Sequence, residues 1–144
     1  MIPPRWAFRV LWAVDRALDR LTGGRFDSVR PGPPTLRLTT TGRRSGERRV
    51  CGVYYVVDDA GWAIVASNVG SDRDPAWWLN LQAHPDATVR LRGREHAVRA
   101  RRATPAEEER LWPRLDEMNP AYREYRAATT RPMPVVILER KVGP

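Results

Sequence analysis

The stretch LRLTTTGRRSGERRVCGVYYVV, residues Leu36 to Val57, holds two β-branched runs joined by a turn. Its composition predicts a strand over Thr35–Thr40, a turn containing Gly42 and Gly46, and a long second strand over Arg49–Asp58, rich in Val and Tyr. A hairpin tip asks for a glycine or an asparagine. This one also carries two arginine pairs, Arg43-Arg44 and Arg48-Arg49. With Thr40, Thr41 and Ser45 they place hydroxyls and forked guanidiniums beside backbone N–H groups, the donor set a phosphate or several carboxylates require. From the residues alone the turn is either such an anion site or a solvated basic hairpin.

Working outward, the pattern stays mostly β. DDAG turns the chain into a third strand, Trp62–Ser67, and SNVGSDRD is a loop. Asp74 is placed to cap a helix with Pro75 in its first turn, running through PAWWLNLQAH. Ala87–Arg92 and Glu95–Arg102 form a hairpin across RGR. TPAEE opens a helix at Thr104 that reaches about Met118, a cap followed by acids in the first turn. A short helix covers Ala121–Thr129. MPVVILER is a last strand, apolar along its length and therefore central. Five or six strands with two or three interspersed helices predict a small closed or half-closed barrel with helices against it.

Upstream, Pro3–Leu21 has a helical stripe of Trp6, Val10, Val14, Ala17, Leu18 and Leu21 opposite Arg5, Arg9, Arg16 and Arg20. Such a helix either packs on the domain or lies on an anionic membrane surface. Gly23-Gly24 ends it, and RPGPP at residues 30–34 is a rigid linker. The reading therefore divides the chain into residues 1–29, helix and linker, and residues 30–144, the barrel domain. Arg9 interrupts the apolar run and no small-residue cleavage site follows, so a cytoplasmic protein is expected, peripheral to the inner face of the plasma membrane if the helix meets lipid.

The 144 residues fit one domain with one good core, and 42 % of them are hydrophobic. The formal net charge is +8, from 25 Lys+Arg against 17 Asp+Glu, which favours anionic partners. Nucleic acid is not expected: the arginines alternate with acids in most segments, and no recognition helix stands out. Cys51 is the single cysteine, so no internal disulfide forms. Ser45, Ser67 and Ser71 lack a nucleophile-elbow context. His84 precedes Pro85 at a helix end, and His96 is expected exposed on a strand; the pair lacks metal-ligand spacing, so no metal is expected. Without a P-loop or a dinucleotide fingerprint, any catalysis would fall to a bound cofactor. Tyr54, Trp77, Trp78, Tyr122 and Tyr125 are candidates for a ring pocket, each equally placed to be core.

Three blocks carry a resemblance: LTTTGRRSGERR, VVASNVGSDRDPAWWLNLQAHPDATVRL and YREYRAATTRPMPVVILER, in order across roughly residues 30 to 141. They resemble the deazaflavin-dependent nitroreductase family. The resemblance implies a mainly β, α+β fold: a split β-barrel like those of FMN-binding flavin reductases and pyridoxamine-phosphate oxidases. It implies coenzyme F-420, an 8-hydroxy-5-deazaflavin with a phosphate and an oligoglutamate tail, with FMN on the same barrel or a non-catalytic carrier of deazaflavin or a lipid-like molecule as alternatives. By analogy Arg43, Arg44, Ser45 and Arg49 would grip phosphate and tail, and Val50, Cys51, Gly52, Val53 and Tyr54 would line the coenzyme. Ala66, Ser67 and Asn68 would meet its other side, and Ala76, Trp77 and Asn80 would close the pocket, the Asn80 amide facing a ring edge. Tyr122 is the implied proton donor, with Tyr125 beside it. The implied activity is hydride transfer from reduced coenzyme to a small electron-poor acceptor: a quinone, an enone or a nitroaromatic. Direction of transfer, physiological acceptor and oligomeric state stay open.

Overall fold

The computed structural model describes residues 33–141, so the helix expected over residues 3–21 lies outside the described residues. Seven strands are present there: β1 (Thr35–Thr41), β2 (Arg48–Tyr54), β3 (Val56–Asp58), β4 (Gly61–Val65), β5 (Asp86–Leu91), β6 (Arg94–Arg102) and β7 (Val135–Arg140). Three α-helices accompany them: α1 (Ala76–Ala83), α2 (Pro105–Met118) and α3 (Ala121–Ala128). The strands form one antiparallel sheet in the order β2-β1-β5-β6-β7-β4-β3.

That order dictates the shape. β2 and β3 lie at opposite ends of the sheet, yet only Tyr55 separates them in the chain. In a flat sheet six strand spacings would hold them about 28 Å apart, whereas one residue reaches about 3.6 Å at most. The sheet must therefore curl until its two edges meet, which makes a half-barrel. The single long strand expected over Arg49–Asp58 is thus two strands. Tyr55 is the corner: it is buried, and its N–H donates to the Pro34 carbonyl at 3.3 Å instead of continuing a ladder.

The curl creates two cores. Trp62, Ile64 and Ala66 from the β4 segment and Val136 and Leu138 from β7 turn into the barrel with Leu36, Leu38, Val89 and Val98. The alternate residues Ala63, Val65, Val135 and Ile137 turn outward, against Leu111 and Leu115 of α2 and Tyr122 and Tyr125 of α3. β7 therefore reads as a continuous apolar run because both its faces are covered. Truncating Ile137 or Leu138 to Ala would cost about 2–5 kcal/mol.

The helix starts differ from one another. At α2 the Thr104 hydroxyl accepts from the Glu107 N–H at 3.2 Å, and the Thr104 N–H donates to Glu107 Oε1 at 2.9 Å, the reciprocal box the sequence predicts. At α1 Pro75 holds the cap position, and no side chain caps it. Asp74, expected to cap that helix, instead pairs with Arg131 at 3.1 Å. His96 also departs from expectation: it is half-buried, its ring 5.1 Å from that of Trp62. No helix among the described residues is long and apolar enough to cross a membrane.

Candidate functional site

The basic turn, residues 42–47, is a knotted loop rather than an open hairpin tip. The Gly42 N–H donates to the Glu47 carbonyl at 2.7 Å, and the Gly46 N–H returns to the Gly42 carbonyl at 2.9 Å. A β-carbon on Gly42 would sit 2.7 Å from Ser45 Oγ and 3.2 Å from the Glu47 carbonyl, so a larger residue there would turn the serine hydroxyl out of the loop. Ser45 Oγ accepts from the Glu47 N–H at 3.1 Å. The loop is pinned from outside by Asn80 of α1, which is 4 % exposed. Asn80 Oδ1 accepts from the Arg43 N–H at 3.1 Å and from its guanidinium at 3.3 Å, while Nδ2 donates to Thr40 Oγ1 at 3.1 Å. The Asn80 amide, expected to face a ring edge, is engaged with the loop and holds Arg43. Arg49 pairs with Glu47 at 3.3 Å, but both side chains are more than half exposed, so this bond is weak in water.

A cleft of about 570 Å³ runs from this loop, within the range of ligand pockets. One wall is β2: Val50, Cys51, Gly52, Val53 and Tyr54 all line it. Because β2 ends the sheet, one side of its backbone faces no strand among the described residues. Thr40, Gly42, Arg43, Arg44, Ser45 and Arg49 form the basic end. Ser67, Asn68 and Val69, with Pro75, Ala76, Trp77 and Asn80, also line the space, as do Val65, Asn119, Tyr122 and Tyr125. Ala66 does not. It is fully buried at the end of β4 and belongs to the barrel core, and its carbonyl accepts from Arg131 at 3.1 Å.

Tyr122 and Tyr125 sit one helical turn apart on α3, ring centroids 6.2 Å apart. Burial raises both phenols above their ordinary value, and mutual repulsion with Tyr54 adds to it. At Tyr122 the Asn119 side chain opposes the shift in part. Three phenols thus converge from β2 and α3, and the buried pair holds its protons across the neutral range. The helix beneath them is clamped. Arg126 of α3 binds the buried Asp116 carboxylate of α2 through two bonds, 2.9 and 2.8 Å, and lies 4.0 Å over the Trp112 ring. These bonds hold Asp116 below the usual carboxylate range.

The segment from Ala66 to Asp74 has its own brace, which sequence reasoning missed. Arg131, 11 % exposed, donates to the carbonyls of Ala66, Ser67 and Ser71 at 3.1, 2.7 and 2.8 Å, and pairs with Asp74. Arg131 lies about 60 residues downstream of its partners, and no local pattern marks it. Asn119 was also missed; the only signal is its place before Pro120 at the start of α3. Among the described residues no three His, Cys, Asp or Glu side chains gather as a metal site needs.

A family model described as F420H(2)-dependent quinone reductase matches residues 8–140, so the likeness reaches into the N-terminal segment that the sequence blocks leave out. An F420H(2)-dependent quinone reductase of Mycobacterium tuberculosis is 37 % identical over 129 residues, covering 87 % of each chain. A solved F420-H2 dependent reductase is 34 % identical with a TM-score of 0.67, covering 74 % of this chain and 94 % of that one. A solved domain-swapped dimer is 31 % identical with a TM-score of 0.71, covering 91 % and 99 %. A half-barrel with a basic loop at its rim fits a cofactor with an anionic tail, and the chain belongs to the F420H(2)-dependent quinone reductase family: it is an oxidoreductase, and its cofactor is coenzyme F-420.

Proposed function

We propose that the cleft holds coenzyme F-420 with its phosphate and glutamate tail on Arg43, Arg44, Ser45 and Arg49, its ring system along Val50–Tyr54, and a quinone as acceptor beside Tyr122. One observation carries this reading: a single cleft joins a cluster of arginines to three converging tyrosines along an edge strand. From Arg49 to Tyr54 β2 takes five residue steps, about 17 Å, so an extended ligand can meet both ends at once. When bound and reduced, the coenzyme supplies the hydride. The protein does the rest. The arginines neutralise and orient the anionic end. The free edge of β2 offers N–H and C=O groups in alternation to a polar ring edge. Trp77 keeps water from the reacting face. Reducing a quinone to a hydroquinone takes one hydride and one proton. Tyr122 holds a proton at its hydroxyl and presents it as negative charge develops on the quinone oxygen.

Titration of the purified chain with oxidised coenzyme, followed by turnover of the reduced form with quinones, enones and nitroaromatics, tests the reading. Saturable binding and a kcat/KM highest for quinones support it. Turnover confined to nitroaromatics would leave the coenzyme and remove the acceptor. For residues 3–21 we propose contact with an anionic membrane surface, which rests on the sequence pattern and is tested by co-sedimentation with anionic and neutral vesicles.

A further inference from the structure

The 3-10 turn Asn68–Gly70 carries three successive residues in the left-handed region, with φ of 44°, 59° and 75°. Asn and Gly tolerate that region. A β-branched residue there is an outlier, because its second γ-carbon crowds the carbonyl. Val69 has ψ of 34°, so it lies at the centre of the left-handed well. Strain of this kind persists only where neighbours impose it. Here they do. Arg131 grips the carbonyls of Ser67 and Ser71 on either side of the turn. Gly70 follows, packed close against α3: a β-carbon there would lie 3.1 Å from the Tyr125 backbone. The result is that the half-buried Val69 packs against the cluster containing Tyr122 and Tyr125 and lines the cleft with them.

We infer that Val69 is a specificity-determining residue. The braced turn holds its isopropyl group at the tyrosine end of the cleft, where it sets the width of the space left for the acceptor. The inference rests on the proposed placement of acceptor beside Tyr122. A glycine at this position would satisfy the backbone better, so the valine stands here against local preference, and its side chain lines the cleft.

The test uses Val69→Ala and Val69→Gly in the full chain, with oxidised coenzyme F-420 for binding and 1,4-benzoquinone against 2-methyl-1,4-naphthoquinone as narrow and wide acceptors. Both variants should raise the wide-to-narrow ratio of kcat/KM about tenfold or more, the low end of the range for one methylene in a hydrophobic pocket. The change should fall mainly in KM, and coenzyme Kd should stay within about twofold. Val69→Gly should also melt a few degrees above Val69→Ala, the reverse of the order at an ordinary site, since only glycine is unstrained at positive φ. An unchanged ratio in both variants, with wild-type turnover intact, overturns the proposal. A coenzyme affinity lowered more than tenfold also overturns it, because Val69 would then serve the coenzyme. So does an alanine variant that melts above the glycine one. A wild type that binds coenzyme but reduces no quinone overturns the underlying reading instead.

Discussion

A side chain's type was often readable where its task was not. Four arginines within seven residues announce an anion site or a bare basic turn, and the cleft gathers three of them. Asn80 looked equally informative, but its two partners lie 37 and 40 residues away, and their bonds decide that it braces the loop. Asn80→Ala should therefore act twice. The buried Thr40 Oγ1 loses its partner, which costs about 1–3 kcal/mol, and Arg43 loses its anchor at the basic end, weakening coenzyme binding. A melting curve with a coenzyme titration checks both; unchanged affinity would detach Asn80 from the site. Tyr122 calls for a different variant. Tyr122→Phe keeps the ring that packs between Trp112 and Tyr125 and removes only the hydroxyl. Coenzyme Kd should hold while turnover falls about ten- to a thousandfold, the range for a lost proton donor or oxyanion contact. Because burial raises its pKa, the wild-type rate should show no alkaline decline from this group up to about pH 10, the ordinary phenol value. Full activity in the phenylalanine variant would make Tyr122 a core aromatic only.

Elements were legible wherever their signal is local. The capping box of α2 was visible in TPAEE, and β7 in its unbroken apolar run, since each depends on residues that are neighbours in the chain. The break at Tyr55 was not visible, because Val-Tyr-Tyr-Val has uniform β propensity and only the sheet order forces a corner. Ties between elements are similarly hidden. Arg101 of β6 binds Glu107 of α2 through two bonds, at 2.6 and 2.8 Å, and also reaches Glu139 of β7. The Arg101 guanidinium, then the Thr104 N–H, pull the Glu107 pKa from 4.5 down to about 2. A depressed carboxylate stabilises the fold above its unfolded value, and that stability is lost as pH falls through the folded one. The tie should therefore be intact above about pH 4.5 and vanish by about pH 2. Glu107→Gln should lower the melting temperature at pH 7, and its deficit against wild type should shrink as pH drops through that window. A deficit independent of pH would mean that the pairing contributes nothing.

At the scale of the molecule, charge and topology meet at one rim. The chain carries a formal net charge of +8. The loop joining β1 to β2 gathers part of it at the mouth of a cleft that the curled sheet creates. The net charge was legible from composition, but its focus was not, because a cleft between a sheet edge, α1 and α3 exists only once the ends of the sheet meet. If the proposed orientation holds, the tail lies among exposed guanidiniums and the ring among half-buried apolar groups. Salt should then act on the two ends unequally. Exposed charges are screened over about 10 Å at 0.1 M ionic strength and about 3 Å at 1 M, whereas apolar contact is not weakened by salt of this kind. Raising sodium chloride from about 0.05 to about 0.5 M, a range over which the screening length shortens several-fold, should weaken binding of the coenzyme with its glutamate tail markedly. It should weaken binding of the tail-less form much less. Arg44→Ala and Arg49→Ala should flatten the salt dependence of the tailed form. Arg99→Ala should not, since Arg99 of β6 pairs with Asp86 of β5 and lines no part of the cleft. Isothermal titration with both coenzyme forms measures these slopes. Equal slopes for the two forms would mean that the arginines do not meet the tail, and the coenzyme would have to lie in the cleft the other way round.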